Sequence, residues 1–293
     1  MADAPRQMRL SIVVSTLGAR PAEMERLIHS VVAEQVDGIE IIVVDQSPDG
    51  AAHRVAEATL AGAAIPLVCI TSERGLNLGR NAGLKVARGT FTAFADDDAW
   101  YPKGGLTAPL QHLERAPLLD GITFVARGAD GQISSGTFAR RAGPIRRRSA
   151  LMQSLEGAMM LRTDAVRGIG GFDPRMGLGT AGPWGAGEGV DLILRLLADG
   201  AVMRFEPAYF VHHEDSLDAG AAGYAKLRAY SRGEGFAIAR NRAALLYAYR
   251  RIVRPLLGVG VATARRQHDL RRLRSARLRG YIRGTYDGIR WRT

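Results

Sequence analysis

Thr90-Phe91-Thr92-Ala93-Phe94-Ala95-Asp96-Asp97-Asp98 passes from an apolar run of strand length straight into three carboxylates. The run is continuous rather than alternating, which fits a strand covered on both faces, as in a parallel sheet. Residues 10–15, 40–44 and 67–70 have the same character. Between them lie helical patterns. Residues 21–34 open on Pro21 with acids close by and carry a stripe of Leu27, Val31 and Val32. Residues 51–61 follow, then 78–88, with Gly89 as the expected C-cap. This alternation predicts a doubly wound α/β sheet with helices on both faces, whose ligands bind beyond the carboxyl ends of the strands. Three adjacent carboxylates at such an end repel one another, and each raises the others' pKa. A divalent cation relieves that repulsion, and carboxylate oxygens suit Mg²⁺ or Mn²⁺. A solvated loop, with Asp98 capping the next helix, is the plainer reading.

The chain has 293 residues, 46% hydrophobic and 24% charged, enough to bury a core without covalent staples. Its single cysteine, Cys69, excludes an internal disulfide or a Cys-based zinc cluster and reads as a buried strand thiol. No stretch approaches the roughly 18 unbroken apolar residues of a spanning helix. Residues 1–5 lack the layout of a secretory signal, so a cytoplasmic protein is expected. The net charge of +11 is uneven. Residues 226–293 hold 18 Lys or Arg against three acids, a charge of +15, and the remaining 225 residues carry −4. A nearly neutral globular body, about 1–222, is therefore followed by a basic extension, about 223–293.

Several landmarks recur in order: residues 11–16, the Val43–Asp49 stretch, Gly75-Leu76-Asn77-Leu78-Gly79-Arg80-Asn81-Ala82-Gly83, Phe94-Ala95-Asp96-Asp97-Asp98, Gly170-Gly171-Phe172-Asp173 and Gly187-Glu188-Gly189-Val190-Asp191. Over about residues 8–215 this set resembles family 2 glycosyltransferases of the GT-A fold. The resemblance implies a Rossmann-like, mixed but mostly parallel sheet, and a metal-dependent, inverting transfer of sugar from a nucleotide diphosphate to an acceptor hydroxyl. It makes Asp96 and Asp98 the outer acids of a DxD motif. Asp98 is the direct ligand of Mn²⁺ or Mg²⁺, and Asp96 lies near the ribose or a metal-bound water. Asp97 and Thr16 are placed with the nucleotide sugar. Asp45 corresponds to the acid that hydrogen-bonds base or ribose, and its other role is as a turn former ahead of residues 47–50. Arg80 and Asn81 correspond to the pair near the diphosphate, with a surface ion pair as the alternative for Arg80. A UDP- or dTDP-type donor and a glycan or lipid-linked acceptor follow from the same resemblance.

The acceptor half is harder to read. Residues 106–115 look helical, 122–126 strand-like, and 127–149 a polar, Arg-rich loop. The glycine-rich stretch 176–187 suits a loop that closes over substrates, with Trp184 either stacking on an acceptor sugar or simply packing. Glu188 opens a helix that Gly200 terminates, and it shares a first turn and a face with Asp191. The family motif has Glu-Asp at its first two positions, with the Asp as general base. Gly189 occupies the second position here, so the role moves to Glu188, with Asp191 second and a purely helix-dipole role for both as the bland account. Of His212 and His213, His213 is the expected third metal ligand.

Residues 223–293 look like basic amphipathic helix, with apolar Phe236, Leu245, Leu246, Ile252, Leu256 and Leu257. Packing on the catalytic part, with contact to an anionic membrane surface at the inner face, is favoured over a plain solvated helix and over nucleic acid. The competing functions are a nucleotide-sugar-binding protein without catalysis and a nucleic-acid-binding protein driven by the tail.

Overall fold

A computed structural model describes residues 7–134, 138–214, 221–242 and 252–291. The opening runs become β1 (Leu10–Thr16), β2 (Ile39–Asp45), β3 (Leu67–Thr71) and β4 (Phe91–Ala95), and all are parallel. In β1, alternate residues serve two cores. Leu10, Ile12 and Val14 pack on one face against α1 (Pro21–Ala33), α2 (Ala51–Leu60) and α4 (Thr107–Arg115), while Val13 packs on the other against Leu84 of α3 (Leu76–Val86). Both faces are covered, which is why the run is apolar at every step. Helix α1 starts at Pro21 and buries Met24, Leu27, Ile28 and Val31, the spacing of one helical face. Cys69 is only half-buried in β3.

The sheet continues through β5 (Gly121–Arg127), β6 (Gly143–Pro144), β7 (Met159–Arg162) and β8 (Met203–His212), giving eight strands in the order β3-β2-β1-β4-β7-β5-β8-β6. Pairings of β4 with β7, β5 with β7 and β6 with β8 are antiparallel, so the sheet is mixed. The Arg-rich stretch 127–149 is not wholly loop, because Gly143 and Pro144 add the edge strand β6 and Arg127 bridges Ile133. From β1 the chain winds out through β2 to β3 and then returns to place β4 on β1's other side. The strand order switches between β1 and β4, where such sheets open a crevice.

Helices α5 (Thr163–Gly168) and α6 (Glu188–Ala198) lie on the second face. Gly200, at φ +94, follows the last turn of α6 in the left-handed conformation that ends helices. The basic extension forms α7 (Ala221–Arg240), α8 (Arg254–Ala264) and α9 (His268–Arg290), while Leu245 and Leu246 lie outside the described residues. Helices α7 and α9 touch backbone to backbone. A Cβ on Gly280, Gly284 or Gly288 would come within 2.5, 1.9 or 2.6 Å of carbonyl oxygens of α7. Only glycine permits that approach. The second core runs on into the extension through Phe236, Ala237 and Ile238. Among the described residues no helix is long and apolar enough to cross a membrane.

Candidate active site at the strand ends

Local bonding fixes where the carboxylates sit. The loop after β4 is held on one side by Glu34, whose carboxylate accepts from the amides of Leu106 (3.1 Å) and Thr107 (2.9 Å) and so caps α4. On the other side Trp100 and His212 exchange backbone hydrogen bonds of 3.0 and 2.8 Å. That exchange carries the next residue, His213, over the acidic strand end. Its Nε2 lies 3.3 Å from Asp98 Oδ1 and 3.9 Å from Asp96 Oδ2.

Within the triplet the three acids have different partners. Asp97 accepts from the Thr16 hydroxyl at the end of β1 and lies 3.3 Å from Arg20. Burial pushes its pKa up, against the pull of Thr16 and Arg20 and with help from Asp98 and Asp96. Asp98 pairs with Arg20 and faces His213. Burial opposes its charge, but His213 and then Arg20 outweigh that, and the carboxyl is held below its usual range. Asp96 is gripped from below by Arg80, Nη2 to Oδ1 at 2.9 Å.

Arg80 is almost fully buried, and its other nitrogen lies 3.4 Å from Glu188 Oε1. Burial alone would lower its pKa, but Asp96, Glu188 and Glu156 raise it, so it stays a fixed cation. The structure thus places Arg80 beneath the site as a bridge between two acids, rather than in a surface ion pair. Glu188 sits at the first position of α6, whose N-terminal Gly187 takes φ +88. Burial and the neighbouring Glu156 push the Glu188 carboxyl up, to about 8, against the pull of Arg80. Glu156 escaped the sequence reading because it stands in a loop without a motif. Asn77 escaped it too. Its side-chain amide donates to the carbonyls of Asp173 (2.9 Å) and Met176 (3.0 Å) and ties α3 to the glycine-rich stretch.

Three of the expected residues are engaged by the fold itself. Asn81 exchanges hydrogen bonds of 2.8 and 2.9 Å with the backbone of Phe172, so it splints α3 to the loop after α5 rather than facing a diphosphate. Asp191 does not share a site with Glu188. It is fully buried and bonded to Arg195 at 2.8 Å and to Asn241 at 2.7 Å, which makes it an anchor for the end of α7. Of the two roles open to Trp184 the structure shows packing: it stacks on Phe236 with ring centroids 3.8 Å apart and meets Trp291 edge-on at 5.6 Å. It pins the glycine-rich stretch to the helical extension. Asp45 lies at the end of β2 and accepts from the amides of Ser47 (2.8 Å) and His53 (2.9 Å), which shapes the β2–α2 loop. Burial raises its pKa, but the Ser47 side chain and those amides prevail and keep it lowered.

The donor set Asp96, Asp98 and His213 has the oxygen-rich chemistry of a Mg²⁺ or Mn²⁺ site. Among the described residues, however, no three His, Cys, Asp or Glu side chains stand ready arranged as ligands. The cavity beside Asp96 and His213, bounded also by Leu155 and Gly157, has a volume of about 20 Å³, room for roughly one water.

The comparisons with known proteins bear on these residues. Two solved structures of residues 1–349 of S. aureus TarS share the fold. One has a TM-score of 0.60 at 13% identity, covering 92% of this chain and 90% of that one. The other, in complex with UDP-GlcNAc, has a TM-score of 0.59 at 14% identity with the same coverage. The Pre-mycofactocin glycosyltransferases of Mycobacterium tuberculosis strains CDC 1551 / Oshkosh and ATCC 25618 / H37Rv are each 31% identical over 189 residues. That match covers 60% of this chain and 38% of theirs, so the chain spans about two fifths of the length of these relatives. The model of "Glycosyl transferase family 2" matches residues 11–169, from the first strand through the acidic triplet to the end of α5, and the chain belongs to that family.

Proposed function

We propose that the chain transfers a sugar from a nucleoside diphosphate donor to an acceptor hydroxyl with inversion. The observation that carries this reading is the acid-rich crevice at the β1/β4 switch point. There Asp96 and Asp98 face His213 on one side, Asp97 is held by Thr16 and Arg20, and Asp96 connects through Arg80 to Glu188 on the other. Family membership and the UDP-GlcNAc named with one TarS structure support a nucleotide-sugar donor, of UDP or dTDP type. Asp98 and Asp96, with His213, would hold a divalent cation, which when bound supplies positive charge for the departing diphosphate. Thr16 orients Asp97, and Arg80 keeps Asp96 and Glu188 apart and ionically linked. The acceptor oxygen attacks the anomeric carbon from the face opposite the diphosphate. Glu188 takes its proton, and the electrons of the broken C–O bond leave on the phosphate. The high proton affinity of a buried Glu188 suits it to a hydroxyl, which is a poor nucleophile until its proton is leaving.

A glycan or a lipid-linked sugar is the proposed acceptor. Outward-facing Leu257 and Ile289, among exposed Arg271, Arg272, Arg279, Arg283 and Arg290, support an extension lying on an anionic membrane surface at the inner face.

Thermal unfolding with UDP, UDP-GlcNAc and dTDP-glucose, each with and without Mn²⁺, tests the donor side. A rise in Tm with one nucleotide that requires Mn²⁺ and disappears in Asp98→Ala is expected. No response to any nucleotide would sink the reading.

A further inference from the structure

The head of α6 is faced by two carboxylates, and only one belongs to the helix. Gly189 follows Glu188, and a Cβ built on it would fall 2.8 Å from Cδ of Glu156. Oε1 of Glu156 accepts from the Gly189 amide at 2.6 Å. The space that a side chain at position 189 would take is therefore filled by an acid from the loop ahead of β7. That loop also borders the acidic strand end, because a Cβ on Gly157 would lie 3.0 Å from Asp96 Oδ2.

The two acids differ in access. Glu188 is 6% exposed, and its Oε2 is buried with no hydrogen-bond partner among the described residues, whereas Glu156 is half-buried. Arg80 is the cation that Glu188, Glu156 and Asp96 all act on. Among the described residues one guanidinium faces three carboxyl groups, more than it could neutralise if all were ionised, and burial together with that crowding raises the proton affinity of Glu188. A cap on the Gly189 amide needs only an acceptor oxygen, and a glutamine would serve. A charged residue there instead suits a site that must receive a proton.

We propose that Glu156 is the second catalytic carboxylate of this transferase, sharing the base function with Glu188 from the place where α6 carries no side chain. This rests on the reading of the chain as a glycosyltransferase. As the acceptor oxygen bonds the anomeric carbon and the bond to the diphosphate breaks, the hydroxyl proton passes to the Glu156/Glu188 pair. Glu156, the more exposed member, meets the hydroxyl first, and Glu188, tied through Arg80 to Asp96, is where the proton comes to rest.

The test uses Glu156→Gln, Glu156→Ala and the double variant Glu156→Ala/Gly189→Asp in the full chain. UDP release from UDP-GlcNAc and UDP-glucose with Mn²⁺ is measured together with UDP affinity and Tm. Glu156→Gln should lower kcat about 100-fold or more, leave UDP affinity unchanged, and raise Tm by about 2 °C because crowded like charges are relieved. The double variant returns a carboxylate to the same space from the helix side and should recover at least about tenfold over Glu156→Ala. Wild-type kcat in Glu156→Gln, a Tm that stays or falls, or no recovery in the double variant overturns the proposal. Should the wild-type chain release no nucleoside diphosphate from these donors or from dTDP-glucose, the transferase reading is what fails. The Tm of Glu156→Gln then still decides whether the two acids strain one another.

Discussion

Two clusters of acids and arginines flank α6 and follow opposite accounting. On the extension side, Asp173 and Asp191 are matched by Arg175, Arg195 and Arg240, with Asn241 closing the set. At the strand ends, among the described residues, Asp96, Asp97, Asp98, Glu156 and Glu188 have only Arg20 and Arg80, with His213 beside them. The proton affinities separate accordingly. Burial opposes the charge of Asp173, but Arg175 and Arg240 overcome it and hold the carboxyl at about 2. Burial and a neighbouring acid drive Glu188 the other way. A matched cluster holds elements together, while an acid-rich one stores repulsion that a cation, a nucleotide or an incoming proton can discharge.

Substitutions can break this contrast, and the largest effect belongs to the acid-rich side. Asp98→Ala should reduce turnover about 1,000-fold or more and abolish Mn²⁺-dependent nucleotide binding, without lowering Tm. A folded variant that keeps metal-dependent binding would move the cation elsewhere. Glu188→Gln should cost about 100- to 10,000-fold in kcat with donor affinity intact. Trp184→Ala reports on the packed side. Emptying its place between Phe236 and Trp291 should cost about 3–5 kcal/mol of stability in denaturant titrations, with activity lost only in step with unfolding. Asp191→Asn should cost about 2–4 kcal/mol for the same reason, since it unpairs buried charge. Catalysis lost from a fully folded Asp191→Asn would return that residue to the mechanism. The smallest effect is a pH dependence. The folded-state pKa of Asp173 is depressed, so its contribution is present above the unfolded value and is lost as pH falls toward about 2. Asp173→Asn should flatten the acid limb of stability by about 1–2 kcal/mol, read from Tm between pH 5 and 2.

Legibility in the sequence followed the range of the interactions. The four parallel strands and their helices were readable because burial on both faces writes itself into consecutive residues, as in 10–15 and 90–95. The acidic triplet was readable because repulsion between neighbours in sequence is obvious at a strand end. Glu188 was preferred in the sequence, but Asp191 remained its runner-up because both fit the first turn of one helix. Only tertiary contacts from Arg80 on one side and Asn241 on the other separate them. Trp184 beside many glycines could be read as a ligand platform or as a packing residue, and the contacts from Phe236 and Trp291 that favour packing are long-range. Glu156 carries no local signal, and its significance comes from Gly189, more than thirty positions away, having no side chain to compete with it.

The glycines of α9 recur every four residues, and a repeat of that kind is ambiguous. Sliding α9 by one turn along α7 would again set glycine against carbonyl oxygens, with close contact almost restored. The registry must therefore come from contacts that occur once. Tyr281 donates to Glu234, and Asp287 takes Arg232 at 2.7 Å while accepting from the Trp184 indole at 3.4 Å. Asp287 thus indexes the hairpin against the very tryptophan that holds the glycine-rich stretch, and a slip by one notch would be felt at the head of α6.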